Sequence, residues 1–192
     1  MIVGPTGTGK TKILDVLMAA MSKEMIQHKK YTINPKAITD MELYGNKIDI
    51  SDEWIPGVFS TIWAKQNNRN LKYNSWITFD GPVDTLWIES LNSVLDDNRL
   101  LTLANNDRIA MTDNVKLIFE PENLNNASPA TVSRCGIVFI STTDLTFDPL
   151  LEAWVKFWGS SAHENRPQQA TAFKEIFTKY FTDYNVVQQF FK

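Results

Sequence analysis

The beginning of the chain has the residue spacing of a phosphate-binding loop. The pattern G-x-x-x-x-G-K-[ST] is matched by Gly4, Gly9, Lys10 and Thr11 within the segment GPTGTGKT. Glycines let consecutive backbone N–H groups turn toward phosphate oxygens, and the helix that follows adds the partial positive charge of its N-terminus. In this pattern the lysine reaches the β and γ phosphates, and the hydroxyl ligates Mg²⁺. The predicted nucleotide-binding residues of this loop are Gly4, Pro5, Thr6, Gly7, Thr8, Gly9, Lys10 and Thr11. The alternative is a glycine turn with an exposed lysine.

An aspartate follows a short apolar run farther along the chain. The run Trp76-Ile77-Thr78-Phe79 is typical of a buried strand, and Asp80 ends it. In nucleotide-binding domains that contain the loop described above, an acid in this position holds Mg²⁺, usually through water. We therefore predict that Asp80 joins Thr11 in binding Mg²⁺ with ATP or ADP. The alternative is an N-cap for the helix that follows.

The residue after that aspartate bears on catalysis. Hydrolytic sites of this type place a glutamate there to activate water, and this chain has Gly81. A positioned general base contributes about 10²- to 10⁴-fold to a rate, so we expect the site to bind nucleotide with little hydrolysis. An active enzyme remains the alternative, in which Asp84 or Glu89 replaces the missing base. Both acids also suit the first turn of a helix.

The hydrophobic pattern predicts strands that alternate with helices. This order is typical of an α/β fold with a parallel sheet, followed from about residue 146 by a helical segment. Ser128-Pro129 and Asp148-Pro149 have the composition of helix starts. Strands are predicted at residues 31–33, 76–79, 115–119 and 136–140, a hairpin at 101–103 with 108–111, and helices at 11–28, 58–65, 83–95 and 169–184 and after each of the two helix starts.

Composition excludes several classes of protein. The chain has 192 residues, 43% hydrophobic residues and a formal net charge of −3, so we expect a globular domain without the basic surface that binds nucleic acid. Cys135 is the one cysteine and is accompanied by only two histidines, which predicts a reducing intracellular compartment and no zinc site. The apolar stretch 13–21 is too short to span a membrane.

Several longer segments resemble one protein family. The strings GPTGTGKT, NPKAIT, LYG, FDGPVDTLWIESLNSVLDDN and ASPATVSRCG resemble the second AAA+ module of dynein heavy chains over residues 1–158. FDGPVD in place of an aspartate–glutamate pair is typical of that module. The strings LLTLANNDRIAMT and IFEPENLNNASPATVSR are more similar to axonemal than to cytoplasmic heavy chains. The resemblance implies a three-layer P-loop NTPase (AAA+) sheet at residues 1–145 and an incomplete helical lid at 146–192.

The resemblance also implies two further site residues. Asn123 matches the polar sensor that contacts the γ-phosphate or its water, although it could only cap a turn. Arg134 matches the arginine finger, which would act in trans on nucleotide bound by the preceding module. The alternative for Arg134 is a surface residue at a helix end. Two inserted segments, 48–57 and 101–111, match inserts that in the family are thought to contact the mechanical linker. Their residues alone favour ordinary surface hairpins.

The implied function is that of one module in a microtubule motor. We expect an ATP-binding module that supports minus-end-directed movement, with the adjacent AAA+ modules and the linker as partners. Microtubules and other dynein subunits would be reached through the full-length motor, at the cytoskeleton of a ciliary or flagellar axoneme. Neither nucleic acid nor a membrane is an expected partner. The short strand before the loop predicts a piece of a longer polypeptide, so a fragment without independent function is a third alternative.

Overall fold

The computed structural model describes residues 1–24, 26–48, 50–143, 148–160 and 166–183. The chain divides into two compact units, Met1–Thr142 and Thr143–Lys192. The described helices include none that is long and apolar enough to cross a bilayer.

The first unit contains all the described strands. They are β1 (Ile2–Val3), β2 (His28–Ile33), β3 (Gly45–Lys47), β4 (Trp54–Pro56), β5 (Asn74–Phe79), β6 (Leu100–Thr102), β7 (Arg108–Ala110), β8 (Val115–Phe119) and β9 (Val138–Phe139). Its helices are α1 (Lys10–Glu24), α2 (Asp40–Tyr44), α3 (Val58–Gln66), α4 (Thr85–Ile88), α5 (Asn92–Leu95) and α6 (Pro129–Arg134), with a 3₁₀ turn (Glu89–Leu91) between α4 and α5.

The parallel strands share one carboxyl edge. Strands β2, β5 and β8 form a parallel sheet in that order, and β1 pairs in parallel with β9. The backbone N–H of Gly4 donates to the Pro121 carbonyl at 3.3 Å, which joins the ends of β1 and β8. The predicted parallel α/β sheet is therefore confirmed. Its loops on this edge lie where ligands bind in open α/β sheets.

The core lies between this sheet and the helices. Strand β5 is buried at five consecutive positions, as expected when both faces of a central parallel strand are covered. Phe79 stacks on Trp87 at 4.9 Å and on Phe119 at 5.4 Å between ring centroids. Each fully buried side chain of this kind contributes about 1.5 to 3 kcal/mol through the apolar area it removes from water. These rings fix the ends of β5 and β8, where the candidate site residues begin.

The first helix is shorter than predicted and its apolar face is exposed. It ends at Glu24, and His28 belongs to β2, where it pairs with Asn74 and accepts a hydrogen bond from the Trp76 indole at 2.8 Å. Leu14 is the buried residue of α1. The helical spacing of five apolar residues predicts one face of this helix. All five are exposed, because no described part of the chain covers them: Ile13, Val16, Leu17, Ala20 and Met21.

Two other predictions need correction. The helix predicted at 83–95 is divided by the 3₁₀ turn, and each of the three resulting segments buries a side chain in the core: Ile88, Leu91 and Val94. The strand predicted at 136–140 is reduced to β9, whose pairing partner among the described strands is β1.

The strand predicted at 115–119 and the hairpin formed by β6 and β7 are confirmed. The segment 48–57 includes β4, which pairs with β3 as an antiparallel hairpin.

The predicted start of α6 is confirmed. The Ser128 hydroxyl accepts a hydrogen bond from the Thr131 backbone N–H at 3.2 Å, and Pro129 follows as the first helical residue. Helix α6 then ends at Arg134, beside Cys135, whose thiol pKa is raised by burial and lowered in part by the nearby amino group of Met1.

We expect Ser128→Ala to lower the free energy of unfolding by about 1 kcal/mol, because a donor at the start of α6 loses its partner. Ser133→Ala is the matched control. Its hydroxyl donates to Ala130 on the exposed side of the same helix, so the change should stay within about 0.5 kcal/mol. Chemical denaturation of the two variants measures both values. Equal losses would show that the cap does not stabilise α6.

The second unit contains α7 (Asp148–Gly159), α8 (Arg166–Phe177) and a π-helical turn (Thr178–Asp183). The aromatic residues at positions 154, 157, 158, 173, 177 and 181 are predicted from their helical spacing to pack in a core. Some of them do contact one another: Trp154 stacks on Trp158 and lies 4.6 Å from Phe173 between ring centroids. The prediction of burial is wrong for part of this set, because Trp154, Phe157 and Phe173 remain exposed. The side chain of Phe181 lies outside the described residues.

Candidate functional site

The candidate residues lie where the parallel strands end. Backbone hydrogen bonds continue past each strand: the N–H of Asp80 donates to Ile33 and that of Glu120 donates to Phe79, both at 2.9 Å. The N–H of Gly4 extends the same row by its bond to Pro121. The first residues after β1, β5 and β8 are therefore held side by side by the sheet itself.

The glycine-rich loop has the backbone conformation that its sequence requires. Gly7 and Gly9 have φ values of +87° and +82°, in the left-handed region that favours glycine. Helix α1 begins at Lys10, within the same sequence motif. The backbone N–H groups of its first turn have no acceptor inside the helix. The Lys10 ammonium donates to the carbonyls of Gly4 at 2.7 Å and Pro5 at 3.0 Å. The lysine is thus folded back over its own loop.

The most informative contact joins the loop to β8. The Thr11 hydroxyl donates to Oε2 of Glu120 at 2.5 Å, between residues 109 positions apart in the sequence. Glu120 is buried, and its Oε1 has no hydrogen-bond partner among the residues the structure describes. Sequence reasoning missed Glu120, although an acid directly after an apolar strand is the same signal that identified Asp80.

A cavity of about 700 Å³ joins these segments. This volume falls within the usual range of small-molecule sites. Its walls include Thr6, Gly7, Gly9, Lys10 and Thr11 from the loop, Asp80 and Gly81 after β5, and Glu120, Glu122 and Asn123 after β8. The structure therefore brings together most of the predicted residues. Of the predicted set, Gly4, Pro5 and Thr8 belong to the loop but do not line the cavity.

Asp80 and Asn123 differ in how they are held. Asp80 is exposed to the cavity and is fixed through its backbone. Asn123 is also exposed, and its Oδ1 accepts a hydrogen bond from the Asn125 N–H at 3.1 Å. The turn-capping role considered for Asn123 is therefore present, and its position on the cavity wall is compatible with a second role as a phosphate contact.

The position after Asp80 is closely surrounded. A Cβ atom added to Gly81 would lie 3.2 Å from both Asn34 Oδ1 and Pro35 Cδ. That Asn34 oxygen already accepts a hydrogen bond from the Lys36 N–H at 2.9 Å. A larger residue at position 81 would therefore require Asn34 or Pro35 to shift by a few tenths of an ångström.

The two acids considered as replacement bases lie elsewhere. Asp84 caps α4 through the Leu86 N–H and forms an ion pair with Lys36 at 2.5 Å. Glu89 is exposed on the 3₁₀ turn. Neither residue lines the cavity that contains Asp80. Their N-terminal-turn interpretation fits this geometry better than a catalytic one.

Arg134 lies at the end of α6, away from the cavity. Its Nε atom contacts the Asp96 carboxylate, and one terminal nitrogen donates to Ala130 in its own helix at 2.7 Å. The side chain is 31% exposed. Helix α6 is held in place by Thr131, whose hydroxyl donates to Asn92 in α5. The guanidinium is therefore oriented on the surface of the first unit.

The donor set of the cavity fits magnesium better than a softer metal. It offers the hydroxyl of Thr11 and the carboxylates of Asp80 and Glu120, which are hard oxygen ligands, and Oε1 of Glu120 still has a free acceptor position. Within the described ranges there is no group of three histidine, cysteine or acidic residues that could hold a metal alone. Mg²⁺ sites typically combine one or two carboxylates with phosphate oxygens.

The parallel sheet and the glycine-rich loop before α1 define the class of a P-loop NTPase. Within that class, residues 1–135 match the family described as AAA domain (dynein-related subfamily), and the chain belongs to this family.

Comparison with curated proteins finds axonemal dynein heavy chains. The flagellar outer-arm dynein gamma chain of Chlamydomonas reinhardtii is 44% identical over 180 residues, which cover 94% of this chain. Axonemal heavy chain 5 of Rattus norvegicus is 45% identical over 183 residues, and axonemal heavy chain 8 of Homo sapiens is 44% identical over 183 residues, each covering 95% of this chain. The chain spans 4 to 5% of the length of these relatives.

Proposed function

We propose that this chain binds ATP or ADP together with Mg²⁺ in the cavity between the glycine-rich loop and the ends of β5 and β8. The single observation that carries the proposal is that this cavity gathers Lys10, Thr11, Asp80 and Asn123 from three distant segments. Lys10 would exchange its loop carbonyls for phosphate oxygens. Thr11 and Asp80 would hold the metal, which neutralises phosphate charge when it is bound.

We propose that the site turns nucleotide over poorly. Gly81 has no side chain that could act as a general base. The Asp84 carboxylate already accepts a hydrogen bond from the Leu86 N–H and forms an ion pair with Lys36. Bound nucleotide then acts as a ligand that stabilises the folded module, because binding only to the folded state raises stability by mass action. The proposed role of the bound nucleotide is structural and regulatory.

Placing a glutamate at position 81, as in hydrolytic sites, is expected to raise the rate of ATP hydrolysis only slightly. We expect Gly81→Glu to raise single-turnover hydrolysis by less than about tenfold, against the 10²- to 10⁴-fold that a well-placed base contributes. The reason is the crowding by Asn34 and Pro35, which prevents the new side chain from adopting a productive position. Gly81→Ala adds a Cβ atom without a charge. It should therefore lower the midpoint of thermal unfolding about as much as Gly81→Glu does, if crowding is the cause. A gain of two orders of magnitude in Gly81→Glu would contradict the crowding argument.

The similarity to axonemal heavy chains supports a role inside a larger motor. We place the chain as the second AAA+ module of an axonemal dynein heavy chain, with residues 1–145 as the large subdomain and 146–192 as the beginning of the helical lid. In that setting Arg134 acts in trans on nucleotide held by the preceding module. Its partners are the adjacent modules and the linker of the same polypeptide, and the full-length motor moves toward microtubule minus ends with other dynein subunits in a cilium or flagellum.

An active ATPase is the second candidate function. It is favoured by one observation, the presence of the two glutamates Glu120 and Glu122 on the cavity wall. Glu120 is already bonded to Thr11, and Glu122 is exposed at the rim. Neither occupies the position after β5 where the base of a hydrolytic site lies, so we favour binding over turnover.

Thermal unfolding of the chain with and without millimolar Mg-ATP tests the proposal. A midpoint that rises with nucleotide concentration supports binding to the folded state. An unchanged midpoint at millimolar nucleotide would remove the proposed function and would favour a fragment that has no activity of its own.

A further inference from the structure

Glu120 is a buried acid at the centre of the candidate site. It is 3% exposed, and its backbone N–H is held by Phe79 at the end of β5. One carboxylate oxygen accepts the Thr11 hydroxyl, and the other has no hydrogen-bond partner among the described residues. The same carboxylate lines the cavity shared by Lys10 and Asp80. A buried acceptor without a hydrogen-bond partner lowers the stability of the fold, unless a bound ligand contacts that atom.

No described basic side chain compensates Glu120. The ion pairs among the described residues join other acids, and the Lys10 ammonium is bonded to the carbonyls of Gly4 and Pro5. The cavity therefore presents carboxylates from both Asp80 and Glu120 to the place where phosphates would bind. Phosphates carry negative charge as well, so close contact between them and these carboxylates is unfavourable without a cation.

We propose that Glu120 makes nucleotide binding in this cavity depend on a divalent cation. Its free oxygen adds a third oxygen ligand to those of Thr11 and Asp80, and its charge repels nucleotide that arrives without metal. The bond from the Thr11 hydroxyl to Oε2 directs the proton toward Glu120, so the hydroxyl oxygen keeps its lone pairs for the metal. This inference rests on the proposed function that the glycine-rich loop binds nucleotide.

Isothermal titration of the chain with ATP in excess MgCl₂ and with ATP in EDTA tests the inference. We expect the wild-type chain to bind at least about tenfold more tightly with Mg²⁺, because close charges in a partly buried site interact strongly. Glu120→Gln keeps the shape but removes the charge, and its amide can donate to phosphate. In this variant the affinities for ATP with Mg²⁺ and for ATP in EDTA should differ by no more than about threefold. The main reason is that the variant binds metal-free ATP more tightly than the wild type does.

Two further variants separate charge from general effects. Glu120→Asp keeps the carboxylate and should retain most of the metal dependence. Glu89→Gln removes an exposed glutamate outside the cavity and should leave the ratio as in the wild type. Circular dichroism before each titration verifies folding. If Glu120→Gln does not fold, Glu120→Ala replaces it in the titration: a ratio that falls to within about threefold supports the role of charge, and the wild-type ratio contradicts it.

The failure of this inference is distinct from failure of the proposed function. If the wild-type chain binds ATP in neither buffer, the proposed function itself is wrong. If it binds ATP and Glu120→Gln shows the wild-type ratio, nucleotide binding stands and the role given to Glu120 is overturned.

Discussion

Replacing Arg134 with alanine in the full-length heavy chain is expected to slow ATP hydrolysis at the preceding module by about 10³-fold or more. An arginine supplied across a module interface stabilises the charge of the transferred phosphoryl group, and removing it typically costs 10³- to 10⁵-fold. Arg134 suits that role because α6 is anchored by Ser128 and Thr131, while the guanidinium itself lies at the surface. The measurement is microtubule-stimulated ATP turnover of the intact motor.

Stability should change little in the same variant. Arg134 loses an ion pair with Asp96 that is about one third exposed, and pairs of this kind contribute about 0 to 1 kcal/mol. Arg134→Lys should recover little of the rate, because an ammonium cannot reproduce the planar fork of a guanidinium. The matched control is Arg99→Ala, which removes another surface arginine paired with an exposed aspartate and should leave turnover within about twofold. Unchanged turnover in Arg134→Ala would remove the finger assignment.

Lys10→Ala is expected to abolish the stabilisation of the chain by Mg-ATP. At a ligand concentration 100 times the dissociation constant, binding raises the free energy of unfolding by about 2.7 kcal/mol, and the variant should lose nearly all of it. Without nucleotide it should also be less stable by about 1 to 2 kcal/mol, because two loop carbonyls lose the Lys10 ammonium. Thermal unfolding across a nucleotide titration separates these two effects.

Lys23→Ala is the control for Lys10. Lys23 lies in the last turn of the same helix and far along the sequence from the loop, so the increment produced by Mg-ATP should equal that of the wild type. A Lys10→Ala chain that keeps the full increment would show that nucleotide binds elsewhere or is not held by the loop.

Local patterns predicted the parts of the site that are continuous in sequence. The glycine-rich loop could be identified because its pattern includes its own flanking strand and helix. Ser128 and Pro129 predicted the start of α6, since a cap requires only neighbouring residues. Asp80 followed from the apolar run before it, because that run forms β5 and Asp80 is the next residue in the sequence. In each case the physical cause lies within a few residues of the pattern.

The parts that were missed depend on packing between distant segments. The hydrogen bond between Thr11 and Glu120 is apparent only when the end of β8 lies beside the end of β1 and brings the two side chains together. The length of α1 was overestimated because pairing of His28 with Asn74 takes that residue into the sheet. The division of the predicted helix at 83–95 follows from burial against the core. Sequence periodicity alone contains none of these contacts.

In the proposed function, this cavity holds nucleotide and hardly hydrolyses it. The most direct measurement mixes radiolabelled Mg-ATP with an excess of the chain, quenches samples over time, and separates bound ATP from ADP. Because the chain exceeds the ligand, each nucleotide reports on a single turnover at this site. We expect the label to be bound and to remain ATP over many minutes. Conversion of the bound label to ADP within seconds would contradict it.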